Sequence, residues 1–196
     1  MIVYLHGFNS GGASQKARWL RAHLAPIAVL APDYPAHRAV EAETFLRQWI
    51  ADARATQRAD RLLLIGSSLG GFWAQALAPV LHAGLVLINP AVRPQHDLLR
   101  AVGENVNEAT GERYVLTTAE VAALGDHAIA QCNPRVPTLL LLDENDEVLD
   151  YRVARDLYRS CGETMIFSGG SHRFDHLPEA LPAIRLLYEG LARISF

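Results

Sequence analysis

The stretch Leu62-Leu63-Leu64-Ile65-Gly66-Ser67-Ser68-Leu69-Gly70-Gly71-Phe72-Trp73-Ala74-Gln75-Ala76-Leu77 leaves the chain few folds to choose from. A short aliphatic run bounded by glycine reads as a buried strand. Residues 69–81 carry helical spacing, with Pro79 interrupting or ending the helix near its far end. Between the two, Gly66-x-Ser68-x-Gly70 occupies the point where a strand turns sharply into a helix. A residue at the apex of so tight a turn is driven towards positive φ, a strained state for anything but glycine. Glycines two positions either side remove the Cβ atoms that would collide with the neighbouring strand and helix. The Ser68 hydroxyl then stands clear of the backbone. The next amide, Leu69 N–H, lies at a helix N-terminus, where unpaired donors and the helix dipole favour negative charge. One turn thus supplies a candidate nucleophile and half of an anion site. The plainer alternative is a glycine-serine loop capping an ordinary helix; the strand before it and the helix after it favour the nucleophile.

The rest of the chain alternates in the same manner. Apolar runs predict strands over 2–5, 27–30, 62–65, 85–88, 138–142 and 164–167. Helical spacing covers 14–24, 40–55, 69–81, 151–160 and 178–192, the last despite Pro182. Such alternation implies an α/β fold, a six-stranded parallel sheet with helices on both faces. Residues 91–135 break the rhythm, with helical fragments at 98–102 and 119–124 around a polar, glycine-containing middle. An insertion of that length after a strand is usually functional when it is not disordered. No repeat and no linker divides the chain, so residues 1–196 are expected to form one domain with 91–135 as a lid-like insertion within it.

Composition narrows the partners. The net charge of -3 has no basic block behind it, which argues against nucleic acid. No apolar segment approaches the roughly 20 residues of a membrane span. The start, Met1-Ile2-Val3-Tyr4-Leu5, reads as a strand rather than a signal peptide, and the expected location is cytoplasmic. Cys132 and Cys161 are too few for a disulfide framework and are expected to be buried thiols in a reducing compartment.

A serine hydroxyl needs a base to take its proton. In doubly wound sheets, functional groups collect at the carboxyl ends of strands. After the last strand stands Ser168-Gly169-Gly170-Ser171-His172, and His172 is the late histidine so placed. His23, His37, His82, His96 and His127 fall in helices, loops or the insertion and read as structural or surface residues. His172 and His176 are four apart, the spacing of a helical zinc pair. The glycines before His172 argue for a loop, and the general-base glutamate of the zinc-protease motif is missing, so no metal is expected. The residue that orients the imidazole should come from 143–150, after the fifth strand. Spacing favours the middle of that loop and does not separate Asp143 from Asp146. Ser, Asp, His is the chain order of serine hydrolases built on an α/β sheet. A second oxyanion donor fits His6-Gly7-Phe8 after the first strand, with Phe8 N–H aimed at the same oxygen as Leu69 N–H. The plainer reading is a glycine-rich loop that merely clears the sheet edge. Gly7 to Gly12 also has phosphate-loop spacing, but Ala13 replaces the lysine such a loop needs.

With these residues in place, the chain resembles the YqiA-like esterase family (UPF0227) of small α/β-hydrolases. The blocks that carry the resemblance are Tyr4-Leu5-His6-Gly7-Phe8-Asn9-Ser10, Gly66-Ser67-Ser68-Leu69-Gly70-Gly71, Asn89-Pro90-Ala91-Val92-Arg93-Pro94 and Asp146-Glu147-Val148-Leu149-Asp150-Tyr151. The resemblance implies Ser68 as nucleophile, Asp146 as acid and His172 as base, with esterase activity and no cofactor. Asn145 and Ser171 depart from the family pattern, which has glycine and asparagine there.

The expected function is a serine hydrolase of small-molecule carboxylic esters with short-to-medium acyl chains, working through an acyl-enzyme. Leu98, Leu99, Val102, Tyr114, Val115 and Leu116 of the insertion would roof the site, unless the insertion is only a packing subdomain. One alternative is an acyl-CoA thioesterase, with Lys16, Arg18 and Arg21 meeting a CoA phosphate, although these also fit a solvated helix face. A second is a non-catalytic protein that uses the pocket for a ligand.

Overall fold

A computed structural model describes residues 1–194. The strands and helices alternate as β1 (Ile2–Leu5), α1 (Gln15–His23), β2 (Val29–Leu30), α2 (Ala39–Thr56), β3 (Leu63–Ser67), α3 (Leu69–Leu81) and β4 (Gly84–Ile88). The insertion follows, with α4 (Pro94–Asp97), β5 (Gly103–Val106), β6 (Arg113–Leu116) and α5 (Thr118–Leu124). The chain closes with β7 (Thr138–Asp143), α6 (Tyr151–Leu157), β8 (Glu163–Phe167) and α7 (Leu177–Gly190). Pro79 does not end α3, which runs two residues past it.

The main sheet has the order β2-β1-β3-β4-β7-β8, and every pairing in it is parallel. The inner strands β1, β3, β4 and β7 are mainly aliphatic and fully buried because both faces are covered, whereas the edge strand β8 is partly exposed. Val3, Leu5, Leu64, Leu85, Leu87, Leu140 and Leu142 meet α2, α3 and α6 on one side through Leu46, Ile50, Trp73 and Ala154. The alternate residues Ile2, Tyr4, Leu63, Ile65, Val86, Ile88 and Leu141 meet α1, α7 and the turn after α7 on the other through Leu20, Ile184 and Leu191. After β1 the chain builds outward to β2, then returns to the other side of β1 as β3. The loops leaving β1 and β3 therefore diverge, and that crevice is where ligands bind in open α/β sheets.

The polar middle of the insertion, where the sequence predicts no strand, is an antiparallel hairpin with Gly103 opposite Leu116 and Val106 opposite Arg113. Its turn is set by Asn107, whose Oδ1 accepts from Ala109 and Thr110 N–H, and by Gly111 at φ +74°. No helix among the described residues is long and apolar enough to cross a membrane.

The cysteines correct an expectation. Cys132 and Cys161 are not free thiols but a disulfide, with Cα atoms 6.1 Å apart and both residues buried. Cys132 lies beyond α5 and Cys161 beyond α6, and only the folded sheet brings them together. The bond also removes the support that two thiols lent to a reducing compartment.

Candidate active site

β3 delivers Gly66 and Ser67 to the carboxyl edge of the sheet, and the chain reverses into α3 through Ser68 at φ 54°, ψ -124°. The glycines are there because α3 touches the strands backbone to backbone. A Cβ on Gly66 would stand 2.2 Å from Gly70 O, and one on Gly70 would stand 2.0 Å from Leu5 O. The strained apex is held from the β4 side. Ser68 N–H donates to Ile88 O at 3.1 Å, and Ser68 O accepts from Ala91 N–H at 3.0 Å.

The hydroxyl so presented meets the late histidine. Ser68 Oγ is 3.0 Å from His172 Nε2, and His172 Nδ1 is 2.9 Å from both Asp146 oxygens. A carboxylate only accepts, so Nδ1 carries the proton and Nε2 is left to accept from Ser68. The Asp146 carboxylate is 1% exposed, and its Oδ1 also accepts from Val148 and Leu149 N–H, each at 2.9 Å. Glu147 accepts His172 N–H at 2.9 Å, a hydrogen bond that holds its carboxyl below the ordinary glutamate value.

Asp143, the other candidate left open by spacing, does something else. It is fully buried at the end of β7, and its Oδ2 accepts from Ser171 N–H at 3.2 Å and Asp175 N–H at 2.8 Å. Those amides bracket His172. Its Oδ1 takes the Nδ1–H of His176 at 2.7 Å. His172 and His176 thus bind separate carboxylates instead of converging on one point. Gly170, at φ 71°, is required here because a Cβ would fall 1.9 Å from Asp143 Oδ2. Asn89 ties the same elements together, accepting Asp143 N–H at 2.9 Å and donating to Ser171 O at 2.9 Å. The sequence offers Asn89 only as part of a family block, with no task of its own. Its signal is a polar residue ending an otherwise aliphatic strand.

The loop after β1 lies against the elbow, since a Cβ on Gly7 would be 3.2 Å from Ser68 Cβ. Phe8 follows in that loop, and Leu69 N–H is the first amide of α3, one of the donors a helix leaves without an intrahelical acceptor. Asn9, at φ 52°, turns the loop. Its side chain accepts from Tyr114 Oη–H at 2.6 Å and donates to Asn105 Oδ1 at 3.3 Å, while Asn107 Nδ2 donates to Ser10 O at 3.3 Å. The β5–β6 hairpin is therefore tied to the loop that carries Phe8. Of the residues expected to roof the site, Tyr114 sets its ring edge-on to Phe8 at 6.5 Å and Leu116 is buried. Leu99, Val102 and Val115 face solvent.

Three cations expected near a CoA phosphate have partners within the chain. Lys16 donates to Arg173 O, Arg18 to Ala13 O, and Arg21 to Val29 O. Burial pushes the Lys16 ammonium down to about 8.

The pattern of the Uncharacterised protein family (UPF0227) matches residues 1–189. The chain belongs to that family. A UPF0227 protein of Shewanella woodyi is 24% identical over 196 residues, covering 97% of this chain and 100% of its own length. A relative in Yersinia enterocolitica is 29% identical over 161 residues, 81% of this chain and 82% of its own. Among solved structures, Est1E from Butyrivibrio proteoclasticus superposes with a TM-score of 0.77 at 17% identity, over 98% of this chain and 88% of that one. A monoacylglycerol lipase from Paleococcus ferrophilus gives 0.71 at 17% identity, over 96% and 93%. Likeness at such identities establishes the fold, which for this UPF0227 member is that of the α/β-hydrolases.

Proposed function

We propose that this protein is a serine hydrolase that cleaves carboxylic esters of short-to-medium acyl chain through an acyl-enzyme. The observation that carries the reading is the unbroken line from Ser68 Oγ through the His172 ring to the Asp146 carboxylate, with contacts of 3.0 and 2.9 Å. In the proposed cycle His172 Nε2 takes the Ser68 proton as the oxygen attacks the ester carbonyl. Asp146 holds the ring in the correct tautomer and stabilises the imidazolium that forms. The negative charge that develops on the carbonyl oxygen is met by the Phe8 and Leu69 amides, each such donor contributing about 3 kcal/mol in the transition state. His172 then protonates the departing alcohol, and water, activated by the same nitrogen, releases the acid. No step calls for a cofactor. Residues 91–135 are proposed as the cover of the site, with the hairpin as its fixed wall.

The test is labelling with a fluorophosphonate, together with hydrolysis of p-nitrophenyl butyrate. Wild type should react with both and Ser68→Ala with neither. An unlabelled wild type would favour the non-catalytic ligand-binding alternative. A thioesterase would use the same machinery. The internal partners of Lys16, Arg18 and Arg21 weigh against a CoA phosphate on that face.

A further inference from the structure

A cavity of about 180 Å³ adjoins the loop after β1, lined among others by His6, Asn9, Asp33, His37, Thr110 and Glu112. Two of these, His6 and Asn9, flank the Gly7-Phe8 pair, and the Gly7 backbone lies against Ser68. The hairpin that forms the far wall is fixed to the same loop by the Asn9, Asn105 and Tyr114 side chains, so the space is preformed.

The chemistry of the lining is one-sided. His6 is 2% exposed, and burial lowers its imidazole below the ordinary histidine value, which favours the neutral ring. Its Nδ1 stands 2.9 Å from Gly7 O. A carbonyl oxygen only accepts, so the ring proton sits on Nδ1 and Nε2 is a bare acceptor. That Nε2 is buried with no partner among the described residues, and so is His37 Nε2. Buried polar atoms in native proteins are nearly always paired, by protein, water or ligand. Asp33 gives one oxygen to Gly12 N–H at 2.7 Å, which leaves the other available. The lining holds two carboxylates and neither lysine nor arginine, a poor host for phosphate or a free carboxylate. It asks for donors. Tyr34 also borders the cavity, its ring 4.4 Å from that of His6.

We propose that this cavity is a subsite for the alcohol portion of the ester, and that it takes a polyol, a glycerol or sugar unit whose hydroxyls donate to His6 Nε2 and the Asp33 carboxylate. The assignment to the alcohol side follows from ester chemistry, since acyl chains are mostly apolar and the hydroxyls sit on the alcohol. This inference rests on the serine-hydrolase reading for its link to catalysis.

The experiment compares kcat/KM for butyrate esters of one acyl group and four alcohols: ethanol, glycerol, methyl glucoside and choline. The glycerol or glucoside ester should exceed the ethyl ester by about tenfold or more, the discrimination expected when a buried acceptor is left unpaired by the poorer substrate. That ratio should fall towards one in Asp33→Asn, which keeps an oxygen for Gly12 N–H, and in Glu112→Gln on the exposed hairpin. Melting curves on both variants establish that they fold. A wild-type ratio near one overturns the proposal, and so does a preference for the choline ester, which would mark a cation site. If no ester is hydrolysed, the hydrolase reading falls separately, and saturation-transfer NMR with free glycerol and methyl glucoside decides the subsite. A transfer signal that disappears in Asp33→Asn supports it, and a wild type that gives no signal overturns it.

Discussion

Two aspartate–histidine pairs stand side by side at the end of β7 and in the loop after it. Their chemistry is the same, and their surroundings give them different tasks. Asp146 holds His172 at 2.9 Å, and Asp143 holds His176 at 2.7 Å. Exposure does not distinguish the rings, at 19% for His172 and 24% for His176. What distinguishes them is what lies beyond the pair. His172 turns its second nitrogen to Ser68 Oγ, whereas the His176 ring lies flat on Phe167 at 4.9 Å. Asp143 also gathers two amides of the loop on either side of His172. A carboxylate–imidazole pair becomes a candidate base only where a hydroxyl waits at its far end. Elsewhere it is a rivet, and here the rivet holds the proposed base in place.

The sharpest way to break this comparison is to make the same substitution in both pairs. His172→Phe should lower kcat by about 10⁵ or more with little change in melting temperature, because the proposed base is gone and the fold is not. His176→Phe keeps the stacking on Phe167 but leaves the buried Asp143 carboxylate without its imidazole partner, which costs about 3–5 kcal/mol of stability. Its kcat should change far less. The aspartates follow the same division. Asp146→Asn should cost about 10⁴ in kcat by spoiling the tautomer. Asp143→Asn should destabilise by about 1–3 kcal/mol, since the amide nitrogen that replaces one carboxylate oxygen cannot accept the N–H donors that converge there. Its kcat should drop about a hundredfold through displacement of His172. Equal losses of kcat in the two asparagine variants, with stability retained in both, would erase the distinction.

That division is also where the sequence stops being legible. The elbow can be read because its glycines and the aliphatic run before them admit one local geometry. His172 can be read because it follows the last strand of an alternating series. The role of Asp143 cannot, because an aliphatic strand is expected to end before its first charge. The strand runs through that charge since three donors converge on it. The hairpin is hidden for a related reason. Its inward positions include Asn105, which faces Asn9, so the apolar alternation that marks a strand is absent. The second strand is expected from Ile27, but the turn after Pro26, with Ile27 N–H donating to Leu24 O, delays pairing until Val29. The disulfide has no local signal at all, since Cys132 and Cys161 are 29 positions apart, with all of β7 and α6 between them.

The gentlest probe of the rivet is Lys16, whose ammonium is pushed down to about 8 by burial, while the charges of Asp143 and Asp175 act to raise it. An unfolded chain holds this group at its ordinary value of 10.5. Between those values the unfolded chain binds the extra proton, so stability climbs as pH rises through the window. Below about 8 both states are protonated and the desolvation cost is fully present. The unfolding free energy from urea titrations should therefore increase from pH 8 to pH 10, by an amount on the order of 2 kcal/mol. In Lys16→Met the rise should vanish. In Asp143→Asn its onset should move to lower pH, because the carboxylate that supports the buried ammonium is gone. A wild-type curve that is flat across this window, or an onset unmoved by Asp143→Asn, would mean that Lys16 and Asp143 do not sense each other and that the rivet ends at His176.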